Sequence, residues 1–285
     1  MKSKVKVNVF AIFILLLSFI GCRSINLNVF PDSYDMQLGA QFQEDIKANP
    51  QEYPLLKGRD DVRQYIINIG NKILASPEVK KRNEYAWQFD VIDDDNTINA
   101  FCVPGGYMYV YTGLLKFIDD EATLAGVLAH EIAHAERRHS TRRVVSQLGI
   151  QLGVGYATEL LLGKDAAAWK QLVVPALGEM LASGLVMHNS REDEYESDEY
   201  SFKYLKSTEY YPGAIKGFFE KMMALDNSSK SSGIESTVST LFSTHPQSPD
   251  RLDQIDKLLK AGNYPPPTEA NLFKERYSKF KATLK

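Results

Sequence analysis

Residues 125–139 read AGVLAHEIAHAERRH, and this stretch determines how the rest of the chain is interpreted. Within it, His130 and His134 enclose the pattern His-Glu-Ile-Ala-His in a segment that is typical of a long helix. On a helix these histidines lie about 40° apart around the axis and about one turn apart along it, so both imidazoles can bind one ion. Glu131 is adjacent and can reach a water beside that ion. The stretch therefore predicts a metal site with Glu131 as the catalytic base, and a helix that carries these residues by chance is the alternative.

A third ligand has to come from another part of the chain, because catalytic zinc sites use three protein ligands and leave one position for water. On a continuous helix His139 is rotated about 140° from His134, which excludes it as a ligand. The acidic segment SREDEYESDEY, residues 190–200, contains Glu194 and Asp198 at helical spacing. Glu194 can bind the ion while Asp198 accepts the N–H of a ligating histidine. A solvated acidic helix face is the alternative interpretation.

The first 22 residues, MKSKVKVNVFAIFILLLSFIGC, combine a basic start with an apolar stretch too short to span a bilayer comfortably. They predict an export signal over residues 1–21. The end of this segment, FIGC, resembles the cleavage box of bacterial lipoproteins, which implies a lipidated Cys22, a tether over residues 22–32 and a single domain over residues 33–285. An uncleaved anchor helix is the alternative. With Cys22 lipidated, Cys102 has no disulfide partner and is expected to be a buried strand cysteine.

The pattern of apolar residues predicts an α+β fold that is predominantly α-helical. Three short β-rich runs between residues 85 and 111 predict a small antiparallel meander. Residues 144–163 are apolar but interrupted by polar positions, which favours a buried or membrane-surface helix over a membrane span. The 285 residues carry a net charge of −3 and no basic tract, which argues against nucleic-acid binding. Helices are expected over residues 33–48, 60–75, 119–143, 169–188 and 250–260. Two further helices are expected, one that begins near residue 190 and one at the C-terminus.

Four separated stretches support one interpretation of the chain. They are NAFCVPGGYMYVYTGLL from Asn99, LAHEIAHAERRH from Leu128, NSREDEYESDEYS from Asn189 and STHPQSPDRL from Ser243. In this order they resemble the gluzincin metalloendopeptidases typified by HtpX and the CAAX prenyl protease, and especially the small exported lipoprotein members of that family. The resemblance implies a gluzincin fold with one zinc ion.

The resemblance also implies roles for individual side chains. Glu194 is expected to be the third zinc ligand and Asp198 its helper, with Arg191 either beside the ligands or on the substrate side. His245, followed by Arg251, is expected next to the active site. His245 could occupy the remaining zinc position and keep the enzyme latent, or stabilise the transition state; a structural histidine that starts the last helix is the alternative.

The strand that follows the PGG turn is expected to be the edge of the sheet that borders the active-site cleft. An extended peptide could then add to this edge as a further strand. A strand within the core or in a hairpin is the alternative. The residues expected to bind substrate in this way are Gly105, Gly106, Tyr107, Met108 and Tyr109.

Together, the motifs and the resemblance imply that the protein is a zinc-dependent endopeptidase that hydrolyses peptide bonds in misfolded or unassembled envelope proteins. The protein is expected in the periplasm, attached by a lipid anchor to a bacterial membrane, with the outer membrane as the favoured one. Its expected partners are polypeptide substrates and that membrane. The first alternative is a metal-stabilised envelope module that is latent or inactive and binds proteins. The second is an integral-membrane protease, which requires long apolar spans that this sequence does not offer.

Overall fold

The computed structural model describes residues 31–143, 189–229, 244–246 and 249–284. The predicted export signal, Cys22 and nearly all of the predicted tether lie outside these residues. The helices expected over residues 144–163 and 169–188 lie outside them as well. Among the residues that are described, no helix is both long enough and apolar enough to cross a membrane.

Helices surround a small three-stranded sheet, which confirms the predicted α+β, predominantly helical fold class. Three of the predicted helices, α1, α2 and α7, begin and end within one residue of their expected bounds. The strands are β1 (Gln88–Ile92), β2 (Ala100–Val103) and β3 (Tyr107–Tyr111). The helices are α1 (Asp32–Ala48), α2 (Asp60–Leu74), α3 (Thr112–Phe117), α4 (Glu121–Glu136), α5 (Arg191–Leu205), α6 (Ile215–Ser229), α7 (Pro249–Ala261), α8 (Glu269–Leu272) and α9 (Lys274–Lys281).

Helix α4 lies at the centre of the core, and every one of its residues is buried. The Asp120 carboxylate caps its N-terminus by accepting the backbone N–H of Thr123 at 2.7 Å. Small residues along α4 let its neighbours approach closely. A Cβ added at Gly126 would lie 2.6 Å from the backbone nitrogen of Ile215 in α6, and Ser201 of α5 donates to the Gly126 carbonyl at 3.0 Å. Helices α5 and α6 therefore pack directly against the helix that carries the predicted metal site.

Helix α4 ends earlier than predicted. The sequence pattern predicts a continuous helix to residue 143, but Arg138 has φ of +61°, in the left-handed region that ends helices. The Arg138 guanidinium is buried and donates from Nη2 to Oδ1 of the buried Asp35 at 3.0 Å. This ion pair with α1 stabilises a backbone conformation that arginine rarely adopts. The chain changes direction here, and His139 follows the change.

The sheet has the order β1-β3-β2, so the predicted antiparallel meander is wrong for β1. Strand β3 pairs antiparallel with β2 but parallel with β1. The connection after β1 returns the chain along the sheet, so that β2 and β3 form a hairpin whose second strand joins β1. Gly105 and Gly106, with φ of +81° and +96°, form the turn of this hairpin, a conformation that strains other residues.

The predicted substrate-binding edge strand is also wrong, because β3 is the central strand. Its backbone groups pair with β1 on one side and β2 on the other, and four of its five residues are buried. Gly105, Gly106, Tyr107, Met108 and Tyr109 therefore present no free edge to a peptide. Strand β2 is an outer strand of the sheet, and it lies against α4. Cys102 in β2 is buried, as expected.

Candidate active site

Helices α4 and α5 bring together the three side chains that the sequence predicts as metal ligands. The Nε2 atoms of His130 and His134 are 2.9 Å apart. The two carboxylate oxygens of Glu194 lie 3.3 Å from Nε2 of His130 and 3.2 Å from Nε2 of His134. All three side chains are buried, and Glu194 is fully enclosed. Two histidines from one helix and a glutamate from another thus meet at one point.

This set of donors fits a zinc ion. Two imidazole nitrogens that both present lone pairs repel each other at 2.9 Å unless a proton or a cation lies between them. Ligand atoms bound at about 2.0–2.1 Å around a tetrahedral ion are about 3.3 Å from one another, close to the nitrogen–oxygen distances at Glu194. Two imidazoles and one carboxylate are also the ligand types that zinc accepts.

The electrostatic environment of the two histidines favours a positive charge between them. Burial would lower the pKa of His130, but hydrogen bonds to Asp198 and Glu194 raise it to about 9. Burial lowers the pKa of His134 well below its usual value, which keeps this imidazole neutral. Burial would also raise the pKa of Glu194, but the charges of His245 and Arg251 lower it well below its usual range. The site therefore combines an ionised carboxylate with a neutral nitrogen donor.

Glu131 follows the first ligand histidine and is buried. Burial raises the pKa of its carboxyl group, although the charges of His245 and His130 and the backbone N–H of Cys102 oppose the shift. A carboxyl group with a raised pKa beside a metal site suits a group that accepts and later returns a proton. A small cavity reaches Glu131, and its other walls are mostly apolar, formed by Leu114, Val127, Ile215, Phe218 and Phe219.

Asp198 and Arg251 form a buried ion pair behind the ligands. Asp198 Oδ1 lies 2.9 Å from Nδ1 of His130, where the sequence predicts it as the partner of a ligating histidine. Arg251 donates to both Asp198 oxygens, at 2.6 and 2.8 Å, and its Nη1 is 2.8 Å from Oε2 of Glu194. Arg251 thus contacts both the predicted ligand and its predicted helper, whereas the sequence places it only near the active site.

His245 lies directly over the three ligands. Its Nδ1 is 3.0 Å from Oε1 of Glu194, and its Nε2 is 3.4 Å from Oε1 of Glu131. Its ring belongs to the group of four side chains whose donor atoms lie within 4.8 Å of one another. Asn189, which the sequence does not single out, donates its backbone N–H to the Thr244 carbonyl at 3.0 Å and has its Nδ2 3.4 Å from Nδ1 of His245. Asn189 therefore ties the segment of His245 to the start of α5.

His139 and Glu196 are two further residues of the site that the sequence does not predict. Nδ1 of His139 lies 2.7 Å from Nδ1 of His134, and its Nε2 lies 2.9 Å from Oε2 of Glu196. Burial would raise the pKa of Glu196, but hydrogen bonds from His139 and Arg142 hold it far below its usual range. The exclusion of His139 as a ligand agrees with the geometry, but the assumption of a continuous helix hid its contact with His134. No signal in the sequence predicts the break at Arg138.

Arg191 also stays apart from the ligand group. It is the first residue of α5, it is exposed, and it makes no polar contact with the ligand group among the described residues. The exposure of Arg191 argues against a place beside the ligands. A contact with substrate stays a prediction.

Comparison with known proteins supports the same interpretation. Residues 61–259 match the family model described as peptidase family M48. The chain is 30% identical over 195 residues to the mitochondrial metalloendopeptidase OMA1 of Schizosaccharomyces pombe. The aligned residues make up 68% of this chain and 52% of that protein. It is 29% identical over 194 residues to the beta-barrel assembly-enhancing protease of Escherichia coli K12, an alignment that covers 66% of this chain and 37% of that protein. It is 27% identical over 165 residues to the metalloprotease YcaL of the same strain, with 58% of this chain and 59% of that protein covered.

The chain therefore spans between about a third and three fifths of the length of these curated relatives. The family match runs from α2 to α7 and includes both helices of the candidate site, so it covers His130, Glu131, His134 and Glu194. It confirms the resemblance inferred from the four sequence stretches. The chain belongs to peptidase family M48.

Proposed function

We propose that the protein is a zinc-dependent endopeptidase in which His130, His134 and Glu194 hold the ion and Glu131 is the catalytic base. The observation that carries the proposal is the convergence of three buried ligand side chains beside a fourth, Glu131, that does not belong to the ligand set. When bound, zinc lowers the pKa of water towards about 7 and polarises a peptide carbonyl. The carboxylate of Glu131 takes a proton from the attacking water and returns it to the nitrogen of the leaving amine.

We place the substrate on strand β2 rather than on β3. An extended peptide can pair with an outer strand through backbone hydrogen bonds. Strand β2 is an outer strand, and its residue Cys102 has its backbone N–H directed at Glu131. The cavity beside Glu131 is small, with room for about one water molecule next to the proposed base.

The test of this proposal is the variant Glu131→Gln. Glutamine keeps the size of the side chain but cannot accept the proton, so cleavage of an unfolded protein such as casein is expected to fall by about 100-fold or more. Zinc binding is expected to persist, because Glu131 is not a ligand. Casein cleavage by the purified variant at the wild-type rate would contradict the mechanism.

We further propose that the enzyme works in the bacterial cell envelope. Support comes from the export-type segment at residues 1–21 and from relatives that are named for beta-barrel assembly. Cys22 is the proposed site of a lipid anchor to the outer membrane. Replacing Cys22 by alanine is then expected to move the protein from the membrane fraction to the soluble fraction, and an unchanged distribution would argue against the anchor.

A latent form of the enzyme is the second candidate function, and the position of His245 favours it. This side chain contacts both a proposed ligand and the proposed base, so it occupies space that a substrate carbonyl needs. If His245 keeps the enzyme latent, His245→Ala increases the rate of casein cleavage above wild type. If the histidine helps catalysis or only stabilises the fold, the same variant loses activity or is unchanged.

A further inference from the structure

We propose that His139 is a positioning residue that fixes the orientation and the protonated nitrogen of His134, and that Glu196 orients His139 in turn. The inference rests on the proposed metal site. It concerns a third histidine that is not a ligand and is fully buried behind the second ligand. The three side chains form a chain of contacts from the carboxylate of Glu196 to the ligand nitrogen of His134, which we call the Glu196–His139–His134 relay.

The distances in this relay allow one arrangement of hydrogens. His134 offers Nε2 to the ion, so its hydrogen is on Nδ1. The atom that faces this N–H at 2.7 Å is Nδ1 of His139, which must therefore be the acceptor. The hydrogen of His139 is then on Nε2, and the atom within reach of that N–H is Oε2 of Glu196, at 2.9 Å. The relay thus holds His134 in the tautomer that a metal ligand needs.

The geometry of α5 explains why Glu196 needs a second imidazole. Glu194 and Asp198 share one face of this helix, so Asp198 reaches His130 directly, at 2.9 Å. Glu196 is rotated by about 200° from Glu194 and cannot reach either ligand histidine itself. His139 spans the gap. The two ligand histidines are therefore oriented by two carboxylates of the same helix, one in direct contact and one through His139.

The far end of the relay is held by arginines. Glu196 accepts from Nε of Arg137 at 2.7 Å and from Nη2 of Arg142 at 2.9 Å, and Arg142 also contacts Asp193 at 3.0 Å. His139, Asp193 and Glu196 are close enough to bind an ion of their own. Their carboxylates are already neutralised by guanidinium groups, which makes an ion-paired support a better description than a second metal site.

The test compares zinc affinities of the full-length purified protein, measured by competition with a chelator. Loss of a group that orients a ligand histidine weakens metal binding by about 10- to 100-fold, so His139→Ala is expected to lose that much affinity. His139→Asn places a carbonyl oxygen near the position of Nδ1, where it can accept from His134, and is expected to recover most of the loss. A role in folding alone would lower the melting temperature of the metal-free protein equally in both variants and leave zinc affinity unchanged.

Glu196→Gln keeps the test decisive if His139→Ala does not fold, because Glu196 lies near the surface and glutamine has almost the same volume. We expect it to weaken zinc binding by about 10-fold. Glu199→Gln on the same helix is the control: it removes one charge from an exposed pair with Lys203 and should bind zinc as the wild type does. Wild-type affinity in Glu196→Gln, or in a folded His139→Ala, overturns the relay. A wild-type protein that binds no zinc overturns the proposed function as well.

Discussion

Arg251 is a buried arginine whose side-chain nitrogens contact the carboxylates of Glu194 and Asp198. A buried charge of this kind is tolerated only when its partners are in place. Removing the guanidinium takes away the one side chain that forms ion pairs with both of these buried carboxylates. We therefore expect Arg251→Met to lower the free energy of unfolding of the metal-free protein by about 3–5 kcal/mol, measured by urea denaturation.

The matched control for this substitution is Lys203→Met, which breaks an exposed pair with Glu199 on α5. Exposed ion pairs contribute little, so the loss is expected to be at most about 1 kcal/mol. Equal losses in the two variants would show that the Arg251 ion pairs are not a special support of the site.

Single residues of the site were predictable where helical spacing alone decides the geometry. His130 and His134 are four residues apart, as are Glu194 and Asp198, and each pair shares a helix face. His139 was not predictable, because its position depends on the backbone of Arg138, whose left-handed conformation is stabilised by Asp35 from a distant helix. Contacts across such distances leave no periodic pattern in the sequence.

Helix α5 is the element that delivers Glu194 to the site, and its N-terminus is closed by a capping box. The Ser190 hydroxyl accepts the backbone N–H of Asp193 at 3.1 Å, and the Asp193 carboxylate accepts the backbone N–H of Ser190 at 3.3 Å. Ser190→Ala is expected to lower the free energy of unfolding by about 1 kcal/mol, measured by urea denaturation of the metal-free protein. Ser190→Thr retains the hydroxyl and should lose less; a Thr variant as unstable as the Ala variant would exclude the cap as the cause.

The sheet shows which properties of an element the sequence leaves open. The β-rich runs predict strands correctly, because their composition and the turns between them are local features. The order of the strands is decided by which backbone edges meet in the folded core, and that depends on tertiary packing. Strand β3 therefore became the centre of the sheet, and the outer strand next to Glu131 is β2.

At the scale of the whole molecule, the predicted class of fold and the family follow from motifs that recur in order along the chain, and both are confirmed. The packing explains why these motifs are separated in sequence. Helix α4 needs α5 against one side for the third ligand, and it needs β2 and α6 around it to enclose Glu131. The site is thus a property of the packed core and cannot form from the His-Glu-Ile-Ala-His stretch alone.

The most direct test of the central claim is the metal content of the purified full-length protein, with and without Glu194→Ala. We expect about one zinc ion per chain in the wild type and also in Glu131→Gln, since Glu131 is not a ligand. We expect a large loss of zinc in Glu194→Ala, because two histidines alone bind the ion much more weakly than a complete set of three ligands. Stoichiometric zinc in Glu194→Ala would contradict the assignment of Glu194 as the third ligand.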